Sequence, residues 1–189
     1  MHPERKLQED IAFVREAVES RDRTHYRSIA IAVLWAVILA TGHALSDFYP
    51  HYSPLFWCTA TPVGYLLSFR MAAREARAAG VANRRKRARF GLHWGSLFVV
   101  IFFVIFIALS HRLEHSVMSQ FITLTAGTTC FLAGLHLDRR LLAPGIVTIL
   151  GAPAVDFLAP YPWTVVGLAI AASLIVSATW MKPRENNAL

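Results

Sequence analysis

A chain of 189 residues with 55% hydrophobic and 16% charged side chains suffices for one compact unit and is too apolar for a disordered protein. Its formal charge of +7 and pI near 10.0 do not point to nucleic acid, because the charges are segregated from long apolar runs, where Lys and Arg report membrane orientation. With Cys58 and Cys130 alone there is no disulfide framework, and both read as packing residues.

Residues 1–28 form a polar segment in which Leu7, Ile11, Val14 and Val18 recur at helical spacing, one apolar stripe of an amphipathic helix. Such a stripe can lie on a membrane, dock on the protein's own cytoplasmic face, or pair with a second copy. The segment is too long and too acidic for a signal peptide. Six apolar spans come next, at about 29–46, 54–70, 92–110, 116–135, 141–159 and 163–181, and a polar tail covers 182–189. The stretch after the second span begins as a continuation of that helix and becomes a basic loop near Gly80. The second and fifth spans are interrupted, at Pro62 and Gly64 and at Pro144, Gly145, Gly151 and Pro153, a pairing that hints at a transporter-like inverted repeat.

Of the 19 Lys and Arg residues, only Arg112 falls on the side opposite the rest, so the spans are even in number and both termini are cytoplasmic. The expected fold is therefore all-α, a polytopic membrane bundle of six transmembrane helices. Three acids remain at the other face: Asp47, Glu114 and Asp156. His43 lies four residues before Asp47, and His111 and His115 flank the turn of the central hairpin, so His43, Asp47, His111, His115 and Asp156 are candidates for an outer metal or proton site. The competing account is that boundary residues simply meet water and headgroups, although an acid within a span, as at Asp156, is costly without a partner. The His-x-x-Glu-His order of residues 111–115 lacks a suitable third ligand for zinc-peptidase chemistry. At the inner boundary, His93, His136 and Asp138 are placed to form a structural or pH-responsive contact between the third and fourth spans. No catalytic residues are assigned: phosphate loops, nucleophile elbows and paired intramembrane aspartates are missing. The RRKRAR run at 84–89 attracts anionic lipid, at about 1 kcal/mol per basic residue near the surface.

At FVREAV, the LW of the first span, LSDF, LFW, FGLHWG and AGLHLDRR, the chain resembles a group of small bacterial inner-membrane proteins with a polar N-terminal helix and several spans. The resemblance implies a bacterial cytoplasmic-membrane location and brings no catalytic residues with it. The functional expectation is a binding, sensing or regulatory membrane protein acting through its N-terminal helix and basic loop. Its partners would be membrane lipid and a second copy or a cytoplasmic protein, and it requires no cofactor. The alternative is a small transporter or metal-binding protein that holds a divalent metal at the outer His/Asp cluster.

Overall fold

The computed structural model describes residues 11, 29–78 and 84–180, and it is all-helical there. Ile11 is helical and exposed, and the other residues of the expected N-terminal amphipathic helix lie outside the described residues, as does the tail. Beyond Ile11 the described residues form six helices. In chain order they are α1 (Ile29–Phe48), α2 (Ser53–Ala78), α3 (Arg84–Ser110), α4 (His115–His136), α5 (Leu142–Ala154) and α6 (Pro162–Trp180), with a 3-10 turn at Arg139–Leu141 before α5.

Four of the helices are long and apolar enough to cross a membrane: Ile29–Phe48, Ala88–Ser110, His115–His136 and Pro162–Trp180. The proline-bearing α2 and α5 are not among them. α2 has 26 residues, but Pro62, Gly64 and several hydroxyl side chains dilute its apolar stretch. α5 corrects the expected 141–159 span: it is 13 residues long, about 20 Å against the roughly 30 Å of a hydrocarbon core. Pro144 is tolerated because it sits in the first turn, whereas Pro153 stands where the helix ends and the chain turns through Asp156 N–H to Pro153 O and Phe157 N–H to Ala154 O. A second correction concerns the basic run. RRKRAR opens α3 as helix, so the expected loop shrinks to residues 79–83, which are outside the described residues.

Consecutive helices touch, and α6 returns to α1. Trp35 Nε1–H donates to Ser68 Oγ between α1 and α2, Tyr65 of α2 meets Trp94 and Phe98 of α3, and His93 of α3 reaches Thr129 of α4. Between α4 and α5 the backbones themselves meet. A Cβ at Gly127 would come 2.7 Å from Ile149 N, and one at Gly134 would come 2.6 Å from Leu142 N. Val155, Val166 and Ile170 fill the α5–α6 seam, and a Cβ at Gly167 of α6 would sit 2.5 Å from His43 Cβ of α1.

The distribution of residue sizes inverts that of a water-soluble core. Ala36, Ala108, Ala133, Ala152, Ala171 and Ala178 are buried, while Leu92, Phe102 and Leu109 of α3 are 65–75% exposed. Small residues at helix contacts with large apolar ones outside are the arrangement lipid favours, since hydrocarbon solvates Leu and Phe and only close backbone approach rewards association. α4 carries many hydroxyls and still fits such surroundings. Thr123, Thr125, Thr128 and Thr129 each donate to the carbonyl four residues earlier, so their O–H groups are satisfied within the helix.

The α3–α4 turn closes with Leu113 N–H on Ala108 O and Arg112 N–H on Leu109 O, the two bonds of a Schellman cap. Its left-handed position is Arg112, φ 52°, where glycine is unstrained. Arg112→Gly is therefore expected to raise stability by about 1 kcal/mol, read as a higher midpoint in denaturant unfolding of the detergent-solubilised chain.

Candidate functional site

The best-built polar group among the described residues lies where α1, α2 and α6 meet. Its root is a gap in the sequence of α6. The helix opens Tyr161-Pro162-Trp163-Thr164, with no Ser, Thr, Asp or Asn in position to cap it. Pro162 has no N–H to satisfy, and Val165 N–H reaches Tyr161 O at 3.1 Å. The two remaining amides are taken by Asp47 of α1: Oδ1 accepts from Trp163 N–H at 3.4 Å, and Oδ2 from Thr164 N–H at 2.7 Å. Thr164 Oγ1–H also donates to Oδ2, at 2.7 Å. A carboxylate from a different helix thus caps α6 and faces the positive end of its dipole.

One turn earlier on α1, His43 is 5% exposed. Its Nδ1–H donates to Leu39 O at 2.8 Å, which orients the ring. Trp57 of α2 meets it edge-on with centroids 5.4 Å apart, and Trp163 of α6 lies tilted against it at 5.8 Å. The junction is tightened by Gly42, where a Cβ would run into the Trp57 ring, and by Ser46, whose Oγ bonds both Gly42 O and the buried Ser53 Oγ of α2.

The five residues expected at a metal or proton site are dispersed. His43 and Asp47 are engaged as described, His111 is exposed in the hairpin turn and His115 exposed at the start of α4, and exposed Asp156 accepts from Gln120 Nε2–H of α4 at 2.7 Å. Among the described residues, no three His, Cys, Asp or Glu side chains gather where they could hold a metal ion. At the opposite end of the bundle, His93 Nε2 bonds Thr129 O at 3.0 Å, about two turns along α4 from the exposed His136. Among the described residues no hydrogen bond joins His93 to His136 or to Asp138. Asp138 instead accepts from Arg140 N–H at 3.1 Å and caps the 3-10 turn that leads into α5. The expected clasp is therefore an imidazole on a backbone carbonyl.

Reading the sequence left out the partners Trp57, Trp163, Thr164 and Gln120. One signal was present: a helix starting with proline at its first position and lacking a local cap must find its acceptor elsewhere. No family model, no curated protein and no solved structure matches the chain.

Proposed function

We propose that this chain is a multi-pass protein of the bacterial cytoplasmic membrane that crosses six times, keeps both termini inside, and works by binding, sensing or regulation rather than catalysis. Four helices of membrane-crossing length support the location, and the one-sided distribution of Lys and Arg supports the orientation. α2 has the length to cross, and the short α5, packed between α4 and α6 and followed by the turn at residues 155–157, accounts for the remaining pass.

The observation that carries the non-catalytic reading is the use made of the polar groups. Asp47, His93 and Asp156 each fasten one element to another, and Asp138 caps the turn before α5. By contrast Arg70, Arg74 and Arg89 are exposed and form no ion pair among the described residues, leaving a basic cytoplasmic surface free for a partner. The apolar stripe at Leu7, Ile11, Val14 and Val18 is a second feature that needs a surface to cover it.

The reading commits to association through that stripe, with a second copy or a cytoplasmic protein. Ile11→Asp with Val14→Asp is expected to weaken self-association or partner capture at least tenfold, since burying each side chain is worth about 1.5–3 kcal/mol. Analytical ultracentrifugation in detergent and a pull-down measure this, with circular dichroism showing the helices intact. Unchanged mass and unchanged capture would sink the proposal.

A further inference from the structure

His43 is held by one nitrogen and idle at the other. With Nδ1–H on Leu39 O, the neutral ring carries its lone pair on Nε2, and among the described residues nothing donates to that atom. The groups packed around the ring leave little else for it to answer to. α2 presents Trp57, and α6 presents Trp163 and Gly167, none of which is an acid or a base near neutrality. The charged group that faces His43 from these elements is Asp47, four residues on along the same side of α1, and its oxygens are held by α6.

We infer that His43 and Asp47 form a proton-operated latch between α1 and α6. In the latched state the ring is neutral and Asp47 caps α6. A proton from water on the His111 side adds to the Nε2 lone pair, and no bond is broken at Nδ1. The ring is now a cation, 5% exposed, with a new N–H that has no acceptor in place. The tilted indole of Trp163 offsets part of that penalty, and the carboxylate of Asp47 is the group able to offset the rest. When Asp47 turns toward His43, the amides of Trp163 and Thr164 and the Thr164 hydroxyl lose their acceptor, and the first turn of α6 opens to water. One carboxylate serves two claimants in turn, which is what makes the device two-state. The latch deepens the sensing role proposed above by naming acidity as its stimulus, and it rests on that reading only for the use a partner makes of the open state.

Tryptophan emission of the full chain in phosphatidylcholine nanodiscs, monitored from about pH 8 to pH 5 where imidazoles titrate, tests the latch directly. The expected result is a one-proton step in the native chain that is lost in His43→Gln. In the Asp47→Asn chain, adding His43→Gln is expected to leave exchange of the first-turn amides of α6 unchanged, because the carboxylate that changes partners is gone. Hydrogen exchange of the first-turn amides of α6, compared at one acidic pH, is expected to be faster in the native chain than in His43→Gln. The chain carrying Ile11→Asp and Val14→Asp is expected to keep the step, so the latch and the association stand or fall separately. No step in the native chain, a step that survives His43→Gln, a further change in α6 exchange when His43→Gln is added to Asp47→Asn, or equal exchange would overturn the latch.

Discussion

Asp47→Ala is expected to lower the unfolding free energy by about 2–3 kcal/mol. The change removes the acceptor of two helix-initial amides and one hydroxyl, all part-buried, and with it a charge at the positive end of α6. Asp47→Asn keeps one oxygen for Thr164 and loses the charge, so about half of the loss is expected. Thr164→Val removes only the hydroxyl bond, for an expected loss near 1 kcal/mol, on the order of one net hydrogen bond. Equilibrium unfolding of the three variants in mixed micelles gives the order. Equal stability of Asp47→Ala and the native chain would mean that α6 is capped by water.

The second large effect concerns a contact without side chains. A Cβ at Gly145 of α5 would stand 2.6 Å from Phe131 Cα of α4, and main chain cannot swing aside as a side chain can. Gly145→Ala must push the two helices apart along a seam that Gly127 and Gly134 also keep close, and a loss of about 2–4 kcal/mol is expected. Gly95→Ala on α3 is the opposite case, because nothing lies within 4 Å of the new methyl. There the better helix propensity of alanine should raise stability by up to about 1 kcal/mol. The sign difference between two identical substitutions is the test, and the same unfolding assay reads it.

What the sequence reveals depends on how local the deciding interaction is. The expected 116–135 and 163–181 match α4 (His115–His136) and α6 (Pro162–Trp180) closely, because hydropathy is summed along one segment. The fifth span misleads for the same reason: residues 155–159 are nearly as apolar as α5, and only the position of Pro153 says that the helix has stopped. The inner histidines show a different limit. Counting residues from the hairpin turn puts His93 and His136 at one depth, whereas helix tilt and offset bring His93 to Thr129 O. The junction at Asp47 was the least legible part, since its partners stand 116 and 117 residues away. His43 and Asp47 could be seen as a pair on one helical face, and nothing in their spacing announced that the acid belongs to another helix.

That separation bears on how the protein is made. Spans enter the membrane in the order of synthesis, so α1 arrives with Asp47 near its end long before the amides of α6 exist. During that interval the acid has only water, headgroups or its own His43 to answer to, and α1 is held by α2 alone. A ribosome-bound or truncated chain ending before Trp163 therefore carries on its first helix an acid whose partners are still to come.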